Sequence, residues 1–248
     1  MMLPTIRIGP AALPTGPLLI IFGFWVGLWV AAKVGERRGI DPDHLYNAGF
    51  YAAVAAIIGG RLGHVIRYFP AYRGDPFSVL NPNLSAFLPL TAALAALAVL
   101  AWYQRRYDIS IPGLLDALAM GALTLAAFLA LADFLNARNF GSPTLMPWAV
   151  TQWDVARHPV QVYELLGTLL ALGLLWALLD ALRPGQIALA ALGGYAAVRL
   201  VVDAFRDQPP TIGDGYRLSQ VLALAALLLV LLVFYQMRAQ AEREEGGG

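Results

Sequence analysis

The chain has 248 residues, a formal net charge of +1, 59% apolar residues and 13% charged residues, with no cysteine and three histidines. A soluble domain usually carries roughly 25% charged residues to cover its surface, so this chain is excluded from that class. Nothing in the near-zero net charge suggests a nucleic-acid surface or an acidic partner, and the missing cysteine excludes disulfides, thiolate metal sites and a protein-borne thiol nucleophile.

The apolar residues fall in long runs, and a helix needs roughly 20 of them to cross about 30 Å of hydrocarbon. Candidate spans in chain order are 17–34, 45–68, 86–104, 112–133, 160–182, 186–206 and 217–237. Helices are required, because backbone amides in lipid must be satisfied within their own segment. The expectation is an all-α membrane protein, a single integral domain over 1–248 built as a seven-helix bundle. The N-terminus lacks the basic region and cleavage site of a signal peptide, so the first span is read as retained.

Basic residues cluster after the first span (Lys33, Arg37, Arg38) and after the third (Arg105, Arg106). Those clusters place the N-terminus outside and the C-terminus in the cytoplasm. The 134–159 connection then lies on the outer face, where its Asn, Gly, Pro and Trp residues could fold into a cap. The tail from Gln240 to Gly248 reads as a frayed, solvated end.

Three charged clusters interrupt the apolar spans, where an ionisable group costs about 2.5–3.5 kcal/mol and normally faces a partner or a cavity. In the second span Arg61, His64 and Tyr68 share one face beside Gly59, Gly60 and Gly63. Two readings stand there: helix packing with a snorkelling arginine, or an anion-binding face for a phosphate headgroup. In the fifth span Arg157, His158, Pro159, Gln161, Tyr163 and Glu164 lie within eight residues. Pro159 suits a first helical turn, His158 its cap, and Gln161 and Glu164 an inward face. In the sixth, Tyr195, Arg199, Asp203 and Arg206 form a stripe on an apolar helix. That stripe reads as a structural ion ladder, or as two arginines against one Asp with positive charge left for an anion. Guanidinium suits phosphate because its planar fork donates two parallel hydrogen bonds. No common metal-ligand spacing is present, and neither a metal nor a cofactor is expected.

These runs resemble the signatures of the prolipoprotein diacylglyceryl transferase family, in order and over most of Gly59 to Gln220. They are Gly59-Gly60-Arg61-Leu62-Gly63, Arg157-His158-Pro159 with Gln161, Tyr163 and Glu164, and Gly194-Tyr195 with Arg199, Asp203, Phe205 and Arg206. Asp133-Phe134 with Asn136, Gly141, Pro143, Thr144, Pro147 and Trp148 resembles the segment after the fourth span, and Leu218-Ser219-Gln220 the start of the last. The chain departs from the family in two places. Ser85-Ala86-Phe87-Leu88-Pro89-Leu90 stands where a His-Gly-Gly run is usual. Ala130, Asp133 and Arg138 stand where an arginine precedes the asparagine and a further acid follows it.

The resemblance implies a seven-span enzyme of the bacterial inner membrane. It would move the diacylglyceryl group of phosphatidylglycerol, or of a related anionic lipid, to the lipobox cysteine thiol of a lipoprotein precursor. It also implies roles. Arg199 holds the phosphate, Tyr195 orients the headgroup, Glu164 and Asp203 position them, and Arg61 is a second phosphate contact. Arg206, Gln161 and Gly141 join the lipid site, with His64, His158 or Arg138 compensating for the departures. Two other classes stay open, a catalytically silent relative that binds anionic lipid or precursor, and a small transporter with a charged path. The transferase reading requires Arg61, Glu164 and Arg199 to converge on one pocket.

Overall fold

The structure is a computed structural model that describes all residues except 1–3, 10, 75–77, 79–85, 214 and 247–248. Helix α1 (Thr15–Arg37) follows a hairpin of β1 (Thr5–Ile8) and β2 (Ala11–Pro14). Helix α2 (Pro42–Arg67) starts where Asp41 Oδ1 accepts from the Asp43 amide at 2.9 Å and Pro42 presets the first turn. A four-residue helix α3 (Phe69–Tyr72) follows, then α4 (Pro89–Tyr107) and α5 (Ile111–Leu135), each with proline in its first turn. Helices α6 (Val160–Leu178) and α7 (Gln186–Val202) form an antiparallel pair, and α8 (Leu218–Gly246) ends the fold.

Six of these helices, α1, α2, α5, α6, α7 with its terminal turn, and α8, are long and apolar enough to cross a bilayer. The third expected span corresponds to α4, whose last turns carry Gln104, Arg105 and Arg106 and which stands outside that group. Several ends differ from expectation. Pro159 is the N-cap of α6 and the helix starts one residue later, at Val160. Helix α7 stops at Val202, and Asp203–Phe205 tighten into a 3₁₀ turn. Helix α8 continues to Gly246 rather than fraying from Gln240, because Gln240, Ala241 and Glu242 are good helix formers. Gly247 and Gly248 lie outside the described residues, as does Ser85 of the run before α4.

Helix α5 is the centre of the bundle, touching α1, α6 and α7, while α4 packs on α2 and α8 on α7. Small residues set these distances. A Cβ on Gly27 would sit 2.8 Å from the Gly121 carbonyl oxygen, so α1 and α5 meet backbone to backbone. On α2, Gly60 faces the Phe87 ring and Gly63 the Thr91 side chain, which lets α4 lie close. The buried core gathers Val34, Leu45, Ala117, Met120, Leu179 and Ile187 at the end opposite the 134–159 connection.

That connection folds over the start of α6 and the end of α7. The Ser142 amide donates to the Phe205 carbonyl at 2.8 Å and the His158 amide to the Ser142 carbonyl at 3.0 Å. The Thr144 amide donates to the Ala156 carbonyl at 2.9 Å, extending a hairpin of β3 (Val150–Gln152) and β4 (Val155–Arg157). A last hairpin, β5 (Thr211–Ile212) with β6 (Tyr216–Arg217), leads into α8.

Candidate functional site

The stripe on α7 meets the inward face of α6. Positions 199 and 203 are one helical turn apart, so Arg199 Nε donates to Asp203 Oδ2 at 3.0 Å, and Nη2 lies 2.8 Å from the same oxygen. The 3₁₀ turn carries Arg206 back to the same carboxylate, with Nε donating to Oδ1 at 2.8 Å. Across the helix pair, Glu164 closes the circuit. Its Oε1 accepts from Arg199 Nη1 at 3.0 Å and its Oε2 from Arg206 Nη2 at 2.8 Å. Two guanidiniums and two carboxylates thus form a closed, charge-balanced ring.

The ring corrects the sequence-based count of two arginines against one Asp, because Glu164 supplies the second carboxylate. Asp203 is completely buried, and Glu164 and Arg206 are 8% exposed. Such burial is tolerable only because every charge has an opposite neighbour. The Arg199 side chain is the accessible member, at 27% exposure. Two further groups lock the buried side. Arg206 Nη1 donates to the Asn139 carbonyl at 3.3 Å, and Arg217 Nη1 donates to the carbonyls of Asp203 and Arg206.

Tyr195 joins the ring to an apolar groove. Its hydroxyl donates to Glu164 Oε1 at 2.9 Å, while the residue lines a cavity of ≈ 270 Å³ between α5 and α7 with Ala122, Leu123, Ala126, Ala191 and Leu192. A second apolar cavity of ≈ 250 Å³, lined by Leu28, Ala52, Leu100 and Leu125, lies between α1, α2, α4 and α5. Ala122 borders both.

The folded-over connection packs beside this ring. Gln161, fully buried, donates to the Arg138 carbonyl at 2.7 Å and to Gln152 Oε1 at 3.4 Å. The Arg138 side chain itself is exposed. Gly141 pairs with Arg206 as an isolated bridge and packs directly on the His158 carbonyl, leaving no room for a side chain. His158 Nδ1 lies 3.3 Å from the Tyr163 hydroxyl, which accepts from Trp148 Nε1 at 2.7 Å, and the imidazole packs on Phe205 at 5.0 Å. Arg157 pairs with Asp207 at 2.7 Å over the Phe140 ring.

Arg61 belongs to a different helix pair. It donates to the carbonyls of Ala86 at 3.0 Å and Ser78 at 2.8 Å, and lies 5.9 Å from the Tyr72 ring centre. Those bonds tie α2 to the connection before α4. His64 stacks near Tyr68 on the same helix. The structure therefore brings Glu164, Tyr195, Arg199, Asp203 and Arg206 together, while the contacts described for Arg61 and His64 lie on the α2 side of the bundle.

A second buried ion pair went unread in the sequence. Asp116 on α5, completely buried, pairs with Arg38 Nε at 2.9 Å and accepts from the amides of Gly185 at 3.0 Å and Ala188 at 2.9 Å. It thereby caps the start of α7 across 69 and 72 positions of sequence. A lone acid inside an apolar run was the available signal.

The model of the family described as prolipoprotein diacylglyceryl transferase matches residues 5–236. A phosphatidylglycerol–prolipoprotein diacylglyceryl transferase of Rhodospirillum rubrum is 31% identical, covering 98% of this chain and 94% of that protein. Proteins of the same description from Corynebacterium diphtheriae and Vibrio parahaemolyticus are 27% and 26% identical, over 95% and 96% of this chain and 92% and 94% of theirs. With an ordered match across nearly its whole length, the chain belongs to the prolipoprotein diacylglyceryl transferase family.

Proposed function

We propose that this protein transfers the diacylglyceryl group of phosphatidylglycerol to the cysteine thiol of a prolipoprotein, the activity by which its relatives are described. One observation carries the reading: a half-open guanidinium, Arg199, at the rim of a charge ring whose Tyr195 lines an apolar groove. Such a pairing suits a ligand with one anionic group and acyl chains. The thiol must reach its thiolate, and the departing phosphate gathers charge that a fixed guanidinium in a dry site stabilises. The chain has no cysteine, so the nucleophile comes with the acceptor.

In this reading Arg199 holds the phosphate, Tyr195 orients the headgroup, and Asp203 and Arg206 fix the pair. Gln161, His158, Gly141 and the Arg138 backbone hold the folded-over connection in place as a roof. Arg61 and His64 serve a second lipid contact on the α2 side. Helix α4 is the seventh span, since 19 residues at 1.5 Å rise approach the hydrocarbon thickness. The protein sits in the bacterial inner membrane with its N-terminus and roof outside and its C-terminus in the cytoplasm, following the basic clusters after α1 and α4.

The test is direct. Purified protein with phosphatidylglycerol and a lipobox peptide should raise the peptide mass by one diacylglyceryl group. Binding of the lipid without any peptide modification would instead mark a lipid-binding relative.

A further inference from the structure

The charge ring is neutral as it stands, and that neutrality sets a condition on catalysis. A phosphodiester anion docking at Arg199 would leave the buried site with net negative charge, which is costly away from water. Moving the thiol proton onto one of the two carboxylates takes negative charge off the ring and frees a guanidinium for the phosphate, while the charge passes to the sulfur that attacks. Asp203 is a poor choice: it is completely buried and both its oxygens accept from the Nε groups of the two arginines. Glu164 stands at the open side. Its Oε1 is the oxygen shared by Tyr195, which lines the groove, and by Arg199, the exposed arginine.

Resting on the transferase reading, we propose that Glu164 is the proton acceptor for the attacking thiol, releasing Arg199 to the lipid phosphate as it takes the proton. The step balances. The S–H proton passes to the Glu164 carboxylate, and sulfur forms its bond to the glycerol carbon that carries the phosphate. The C–O bond to phosphate breaks, and its electron pair leaves with glycerol phosphate. The proton on Glu164 then goes to that leaving phosphate or to water.

The surroundings leave Glu164 as the candidate. From α7 it faces Tyr195 and Arg199, and from the 3₁₀ turn and its end Asp203 and Arg206. Arg217 of β6 binds the backbone behind Asp203. Helix α5, packed against α6, brings Asp133 at this end, and Asn139 Nδ2 donates to it at 2.6 Å. On α6 itself Tyr163 stands beside His158, whose ring packs on Phe205 and whose Nδ1 lies against the Tyr163 hydroxyl.

The experiment compares two acceptor peptides, one with cysteine and one with selenocysteine, whose selenol is more acidic and ionises without help. Wild type transferring to the cysteine peptide is the control on the transferase reading, and its failure would sink that reading alone. Glu164→Gln should lower kcat with the cysteine peptide by about 10²–10⁴-fold, the usual weight of a general base. The KM for phosphatidylglycerol should not rise, because the ring gains positive charge. With selenocysteine the variant should come within about tenfold of wild type. Equal losses with both peptides, or a raised lipid KM as the whole defect, would overturn the proposal. So would relief by selenocysteine in His158→Ala but not in Glu164→Gln. If Glu164→Gln fails to fold, the same comparison is made on Glu164→Asp, whose retracted carboxylate should show the same selective relief.

Discussion

Arg206 Nη2 donates to Glu164 Oε2 at 2.8 Å, joining residues 42 positions apart in sequence. This bond turns a helix-local stripe into a ring and locks α6 to the end of α7. Both partners are nearly buried, so the lock is structural as much as chemical.

Asp203 is the ring's keystone. Asp203→Ala would leave two buried guanidiniums facing one carboxylate, and losing one side of a buried pair costs about 3–5 kcal/mol. Unfolding in detergent should show that loss, together with loss of transfer. An unchanged unfolding midpoint would mean that the ring relaxes into solvent.

The opposite end of the bundle offers an independent check. Asp116→Ala removes the Arg38 partner and the acceptor for two amides at the start of α7. Destabilisation of about 3–5 kcal/mol is expected, with the lipid KM unchanged in the protein that remains folded. The double variant Arg38→Met with Asp116→Leu should recover part of that stability, since no lone charge is left. A double variant worse than the single one would contradict the pairing.

How much was readable beforehand follows from the range of each interaction. The Tyr195, Arg199, Asp203 and Arg206 stripe is written at helical spacing, so its internal pairing could be read from sequence. The inward face of Gln161 and Glu164 was also readable, and both are buried. That Glu164 closes the ring was not, because it depends on the register between α6 and α7. Arg61 illustrates the converse. An intramembrane arginine beside glycines reads like an anion site, but the two backbone carbonyls it binds on the adjoining connection carry no signal at the arginine's own position. Helix ends shifted where a local rule met a neighbour: the 3₁₀ turn at Asp203 is drawn tight by Arg206.

The packing of the 140–144 strip depends on a glycine. A Cβ at Gly141 would overlap the His158 carbonyl and approach Val160 Cγ1 at 2.9 Å. Gly141→Ala should push the 140–144 strip off Phe205 and Arg206, and overpacking of this kind costs about 1–3 kcal/mol. Because the strip lies outside the spans, limited proteolysis in the 140–158 segment should speed up while the helical content stays constant. Wild-type cleavage rates would show that the contact yields without moving the strip.

Close approach of α1 and α5 makes a different demand. Gly27→Val would drive a branched side chain into the Gly121 carbonyl and separate the two helices. The thermal midpoint should fall by several degrees. An unaltered midpoint would indicate that the helices slide past each other at no cost.

The most direct measurement is transfer of diacylglyceryl to a lipobox peptide by Arg199→Ala, with its unfolding midpoint recorded on the same sample. Arg199 is the exposed member of the ring and Arg206 the buried one. The expected result is transfer reduced by about 10²-fold or more in the folded protein, the weight of a fixed donor to a developing oxyanion, with a midpoint lowered less than in Arg206→Ala because solvent reaches the Arg199 side of the ring. Arg206→Ala should lose both. Full transfer by folded Arg199→Ala would contradict the placement of the lipid phosphate at this ring.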